Sequence, residues 1–284
     1  MSETTSTTAH SIRGRIGPDA HSGFYAAPHR YRLYLSLSCP SCLRIAIVHG
    51  LLGLEDTVPL TVLPALPDAA GGYAVLRPAY EATSHGHPGP AAVPVLSDRW
   101  TGRIVSNHGT DIMRDLAVRF RGTGPELYPR SAECEIAAVT TLLDEDVTQA
   151  AQRAGRRDCR DEEPVRTLLA ALGSLESRLA AHPFVLGETM TAADVELWVA
   201  LLELDTVHRW HLDAAAVHRI VAHPRLWAYA RRLRDEPAFH ARLSIAGITR
   251  RHRHHCRGAE AAGAAVQIID WTPADLCAPV ADRR

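Results

Sequence analysis

The sequence predicts a small α/β domain followed by an all-helical domain, on three observations. A short alternating apolar run, Leu33-Tyr34-Leu35-Ser36-Leu37, ends in Ser38-Cys39-Pro40-Ser41-Cys42 and gives way to helical spacing at Leu43, Ile47 and Leu51. Two further apolar runs, Val93–Leu96 and Arg103–Val105, flank an Asp-Arg-Trp-Thr-Gly turn and read as a hairpin. Beyond Gly122-Thr-Gly-Pro125 the chain becomes rich in alanine and leucine at helical spacing. These imply an extended arm over 1–28, an α/β domain over 29–125, a helical domain over 126–250 and a tail over 251–284.

Taken in order, the arm is polar and rich in Ser, Thr, Gly and Pro, without a sustained period. A strand over Tyr31–Leu37 runs into a helix over Pro40–Leu52, with Pro40 suited to the first turn. The unpaired N–H groups and dipole at that end favour a thiolate at Cys39. Asp56–Leu63 reads as a second strand. Pro64 to Pro90, crowded with proline, glycine and histidine, reads as a long insertion of the lid or loop kind. A proline in a strand-like run requires an edge, a bulge or a special peptide bond, so Pro94 is a candidate for a cis bond or an edge-strand proline. Ser106 or Asn107 can cap the helix through Ile112, Met113 and Leu116. Helices are expected over Ser131–Gly155, Glu162–Ala181, Thr191–Val207 and Pro224–Leu233. Thr191-Ala-Ala-Asp194 is a capping box.

Composition narrows the function. The 284 residues carry a formal charge of −1, which argues against electrostatic capture of nucleic acid or acidic membranes. No apolar run approaches the roughly 20 residues of a membrane span, and the start lacks signal-peptide order, so a cytoplasmic protein is expected. All 31 basic residues are arginine, which removes lysine chemistry such as Schiff bases. Six cysteines are too few for a disulfide scaffold; the Cys39–Cys42 pair reads as redox or metal chemistry and the others as thiols.

A cysteine closing the first strand and Val-Pro before the third describe a thioredoxin-like domain, and a helical domain with Thr-x-x-Asp completes the glutathione transferase pattern. More specifically, Arg30-Tyr-Arg-Leu-Tyr-Leu-Ser-Leu-Ser-Cys39-Pro resembles the catalytic-cysteine segment of the glutathionyl-hydroquinone reductases, the Xi class. Leu51-Leu-Gly-Leu-Glu55, Val93–Asp98 with Ile104–Asn107 and Asp111–Arg114, and Leu186–Asp194 with Leu204-Asp205 match in the same order. The resemblance implies a dimeric, cysteine-dependent enzyme using glutathione, for which the altered pocket described below suggests another low-molecular-weight thiol; no metal is expected, since no second Cys/His pair stands at matching spacing. The cysteine attacks the sulfur of a glutathionylated quinol, hydroquinone leaves, and a second glutathione resolves the mixed disulfide. By position Cys39 is the nucleophile, Val93 beside Pro94 pairs with the thiol peptide, and Tyr73 replaces a tryptophan of the thiol site.

The departures concern that pocket. The family's Cys-Pro-Trp-Ala-His-Arg is here Cys39-Pro40-Ser41-Cys42-Leu43-Arg44, and a Glu-Ser pair that grips the γ-glutamyl group is His108-Gly109. Losing one charge-assisted bond costs on the order of 1.5–3 kcal/mol, roughly ten- to a hundredfold in affinity. A family tyrosine of the helical domain aligns with Gln152-Arg153-Ala154-Gly155, and these residues with Trp210 are candidates for the substrate pocket. Cys42 is either a resolving thiol or a core residue replacing the family's alanine. Arg250-Arg-His-Arg-His-His255-Cys256 reads as a solvated basic face rather than a metal site. His85 and His87 are expected in solvent, and Trp198 and Trp227 in the core. The reading is thiol transfer or reductive deglutathionylation of a quinone-type or other electrophilic conjugate, within secondary metabolism. The alternatives are a non-catalytic binding or scaffold protein on the same fold, or a Cys-x-x-Cys dithiol oxidoreductase.

Overall fold

The computed structural model describes residues 11–68, 71–120, 124–156, 161–256, 261 and 267–272. Cys159, Cys277 and most of the tail lie outside them. The chain divides into two compact units, Met1–Gly124 and Pro125–Arg284. Among the described residues, no helix is long and apolar enough to cross a membrane.

The first unit is built on strand β1 (Tyr31–Leu35), whose alternate residues Tyr31, Leu33 and Leu35 are fully buried. Helix α1 (Pro40–Leu51) follows, and its apolar run buries Leu43, Ile45, Ile47 and Val48. It returns the chain to β2 (Leu60–Val62), which lies parallel to β1 with Leu33 opposite Leu60. A 3₁₀ turn over Ala74–Leu76 leads into α2 (Arg77–Thr83), then β3 (Val95–Asp98), β4 (Ile104–Ser106) and α3 (Gly109–Arg119). The sheet order is β2-β1-β3-β4, with β3 antiparallel to both neighbours and an irregularity between Leu96 and Ser97. Helices α1 and α3 pack on each other.

Three expectations for this unit change. The Pro64–Pro90 stretch is not structureless: α2 places Tyr80 in an apolar cluster with Leu63, Leu76, Val95 and Ile104. His87 is buried rather than solvated, its ring 4.6 Å from that of Tyr80. Neither Ser106 nor Asn107 caps α3; the N-cap is His108. Asn107 is engaged elsewhere, since its side chain accepts from the Ile12 N–H (2.9 Å) and donates to the Tyr80 hydroxyl (3.2 Å).

Residues 12–16 lie along β4 and α3, Arg13 bridging to Ser106 of β4. Arg13 meets Asp111 at 2.7 Å, Arg15 meets Asp115 at 2.6 Å, and the Ile16 N–H donates to Asp115 (2.8 Å). The arm therefore covers the free edge of β4, a position that would otherwise invite intermolecular pairing. Within the unit, Arg30 and Asp98 form a buried two-pronged pair at 3.1 Å. Burial alone would raise the Asp98 pKa, but bonds from Arg30, the Trp100 N–H and Thr101 outweigh it and hold the carboxyl below its usual range.

The second unit begins with α4 (Glu133–Leu142), which continues through a π-helical stretch, Leu143–Gln149, into α5 (Ala150–Ala154). Helix α6 (Glu163–Ala181) is followed by α7 (Ala192–Thr206), which is buried almost all round. The capping box at its start is present: Asp194 accepts from the Thr191 N–H (2.8 Å) and also from Val185 and the Tyr229 hydroxyl. A 3₁₀ turn, His208–His211, leads to α8 (Ala214–Val221), α9 (Pro224–Arg234), α10 (Pro237–His240) and α11 (Ile245–His255). Trp198 and Trp227 are core residues, as their helical spacing predicts.

The residues beyond α11 reach the core through Asp205. This fully buried carboxylate pairs with Arg209 (3.0 Å) and accepts from the N–H groups of Ile268 and Ile269 and from the Trp271 indole (2.9 Å). Trp271 in turn stacks edge-on against Trp198 at 5.5 Å. Replacing Asp205 with Asn removes the charge that pairs with the Arg209 guanidinium and puts an amide NH2 where a carboxylate oxygen accepts, so Asp205→Asn is expected to cost about 3–5 kcal/mol. Denaturant unfolding measures that loss, and limited proteolysis should find residues 267–272 cut first.

Candidate active site

Cys39 stands at the N-cap of α1 in an extended conformation (φ −92°, ψ 125°), with Pro40 in the first turn. Its N–H donates to the Ser36 carbonyl at 2.9 Å, and its own carbonyl starts the helix by accepting from Leu43. The Ser36 and Ser38 hydroxyls bond the Pro64 and Ala65 carbonyls at 2.8 and 2.9 Å, tying this turn to the chain that follows β2. Cys39 is buried, and Cys42, one helical turn further, is completely buried in the core face of α1.

The Val93–Pro94 peptide is cis, one of the two forms open to Pro94 on sequence grounds. It lies immediately before β3 and against the start of α3. A Cβ on Gly109 would come 3.9 Å from Pro94 Cγ and 2.0 Å from the Ser41 hydroxyl. The N-terminal turns of α1 and α3 and the cis proline thus converge within the first unit. Cys39, Val93, Pro94, His108 and Gly109 belong to this one region.

His108 turns toward its own helix, with Nδ1 3.3 Å from an Asp111 carboxylate oxygen. The Asp111 carboxyl is held below the usual range, chiefly by the Arg13 hydrogen bond and against the opposing effect of burial, with His108 and Arg15 adding. Tyr73 packs in the cluster around Tyr80 and donates its hydroxyl to the Pro64 carbonyl (3.0 Å). It buttresses the same carbonyl that Ser36 holds. Gln152 and Arg153 are exposed on α5 in the second unit. Trp210 sits on the turn after α7, its indole donating to the Thr206 carbonyl at 3.0 Å. Sequence reasoning missed Ser41, whose role is visible only through its approach to Gly109 some seventy residues on.

Residues 160–232 match the family model for the glutathione S-transferase C-terminal domain. The chain has the glutathione transferase fold. It is 29% identical over 245 residues to glutathionyl-hydroquinone reductase YqjG of Escherichia coli, covering 79% of this chain and 74% of that protein. The glutathione-bound YqjG structure aligns with a TM-score of 0.75 at 26% identity, over 87% of this chain and 89% of the other. Glutathionyl-hydroquinone reductase PcpF of Sphingobium chlorophenolicum is 27% identical over 280 residues, or 92% and 87% of the two chains. The Xi glutathione transferase of Phanerochaete chrysosporium aligns with a TM-score of 0.73 at 27% identity, covering 85% and 90%. The glutathione transferase fold accounts for the small mixed sheet and the helical unit together.

The Ser41–Gly109 approach makes a quantitative prediction. A methyl at 109 forces the Ser41 hydroxyl out of its place, at about 0.5–1.5 kcal/mol. In a double-mutant cycle read by denaturant unfolding, Gly109→Ala should therefore be more favourable in a Ser41→Ala background than alone. The expected coupling is about 0.5–1.5 kcal/mol; strict additivity would refute the contact.

Proposed function

We propose that this protein is a cysteine-dependent enzyme of the glutathionyl-hydroquinone reductase kind, working as a cytoplasmic homodimer. The observation that carries the reading is Cys39 at the N-terminus of α1, beside the cis Val93–Pro94 peptide and the N-terminus of α3. Helix N–H groups and dipole favour the thiolate there. The thiolate attacks the sulfur of a thioether conjugate; the carbon–sulfur bond breaks, and the quinol ring carbon keeps the electron pair and takes a proton. The products are hydroquinone and a mixed disulfide on Cys39. A second thiol then attacks that disulfide, regenerating Cys39 and releasing the oxidised thiol dimer.

The polar environment favours a thiol whose head group differs from the γ-glutamyl group. Where the family sets a carboxylate against the glutathione ammonium, this chain has His108, and the nearby Asp111 is already committed to Arg13 and Arg15. An ammonium would compete with two guanidinium groups, whereas a carboxylate or an uncharged polar head would not. The family's serine hydroxyl on α3 has no counterpart at Gly109, but the Ser41 hydroxyl on α1 occupies the adjoining space. Ser41 is the group we assign to replace it.

The test is turnover on glutathionylated hydroquinones and related conjugates with a panel of thiols, followed by mass spectrometry of the trapped protein. Cys39→Ser is expected to lower turnover by at least about a hundredfold and to abolish the adduct. Cys42→Ser should leave both intact. Full turnover by Cys39→Ser would end the proposal, and a Cys39–Cys42 disulfide as the catalytic intermediate would replace it with the dithiol reading.

A further inference from the structure

The basic segment at the end of α11 reads from sequence as a solvated face. The fold brings a third residue to it from forty residues upstream. His211, closing the turn after α7, places Nε2 2.8 Å from His252 Nε2 and 3.2 Å from Cys256 Sγ. All three donor atoms lie within 4.8 Å of one another, and all three residues are half-buried. A Cβ at Gly155, the residue ending α5, would fall 2.7 Å from the Cβ of His211, so the end of α5 closes against the turn that carries His211.

Two partners compete for one atom, His211 Nε2. A ring nitrogen of histidine offers a single in-plane direction, either one N–H or one lone pair, yet His211 Nε2 has two close partners. A cation between the three atoms uses every lone pair at once. Two imidazole nitrogens and a thiolate suit a borderline-soft divalent ion such as Zn²⁺, at about 2.0–2.1 Å to nitrogen and 2.3 Å to sulfur. Tetrahedral donors at those lengths stand roughly 3.3–3.6 Å apart, so the His211–His252 pair needs to open by only about 0.5 Å.

A second buried group adjoins the cluster. His208 is buried, and its Nε2 has no hydrogen-bond partner. The arginines interleaved in the segment, Arg250, Arg251 and Arg253, oppose a cation. Arg250 and Arg253 are exposed, however, so their charge is screened by solvent, and a Cys256 thiolate would offset one unit of the ion's charge.

We propose that His211, His252 and Cys256 form a three-ligand site for a divalent transition-metal ion of the zinc type, leaving the fourth position open. The site clamps α11 to the turn after α7 and is independent of the thiol chemistry at Cys39. The test is titration of the chelator-treated, reduced full-length protein with Co²⁺, followed by competition with Zn²⁺. The expected result is one Co²⁺ per chain with a sulfur-to-cobalt charge-transfer band and four-coordinate visible bands, all displaced by Zn²⁺. Cys256→Ser should lose the charge-transfer band, and His252→Ala should weaken binding by at least about tenfold. The double variants Cys39→Ser/Cys42→Ser and His254→Ala/His255→Ala should bind as the parent does. Zn²⁺ should also raise the Tm of the parent and not of Cys256→Ser, which reads the site without relying on the variant's basal stability. A charge-transfer band that survives Cys256→Ser, one that depends on Cys39 or Cys42, or no stoichiometric binding at all would overturn the proposal.

Discussion

The close approach of the N-terminal turns of α1 and α3 is the constraint on which the candidate site depends. Both helices need apolar faces to pack together, and both must begin beside the cis Val93–Pro94 peptide. Space at that junction is so limited that residue 109 has no room for a Cβ while Ser41 keeps its hydroxyl where it is. Ser41 and Gly109 therefore act as one unit. Both differ from what the family resemblance implies, and in this chain a side chain at 109 would enter the volume that the Ser41 hydroxyl fills.

That junction also explains which parts of the site could be read from sequence. Cys39 was legible because the strand period stops, proline follows, and helical spacing starts within four residues. Pro94 was legible as an anomaly, since proline interrupts strand-like sequence only for a reason. Ser41 was not legible, because a serine in a first helical turn is unremarkable until the partner helix is in view. His87 and α2 were misread for a related reason. Proline and glycine signals dominate Pro64–Pro90, yet Leu76 and Tyr80, four apart, suffice to anchor a seven-residue helix in the apolar cluster. Tertiary burial overrode local composition there.

Buried carboxylates follow the same logic with distance as the deciding variable. Asp194 was readable because one of its partners, Thr191, sits three residues away in a capping box. Asp111 and Asp115 bind arm residues about a hundred positions earlier, and Asp205 binds backbone N–H groups more than sixty positions later. Backbone donors carry no side-chain signature at all, so nothing in Ile268 or Ile269 announces the partner. The three aspartates nevertheless do comparable work. Each holds a segment that is poor in regular hydrophobic pattern against a helix that is rich in it.

This division of labour gives the two units a common design. Their centres, β1 and α7, are held by apolar burial and need no partner chemistry to be recognised. Their outer segments, residues 11–28 in the first unit and 267–272 in the second, bury single apolar side chains, Ile16 in one and Ile269 and Trp271 in the other. They dock through a few charge-assisted bonds to aspartates presented by the core helices. Such bonds are directional and demand a specific register, whereas apolar contacts tolerate small slides. In the first unit that precision has an electrostatic consequence. The arm's arginines reach Asp111, one turn from His108, so the arm sets the charge at the N-terminus of α3. The arm is thus part of the electrostatics of that helix terminus as well as the cover of the β4 edge.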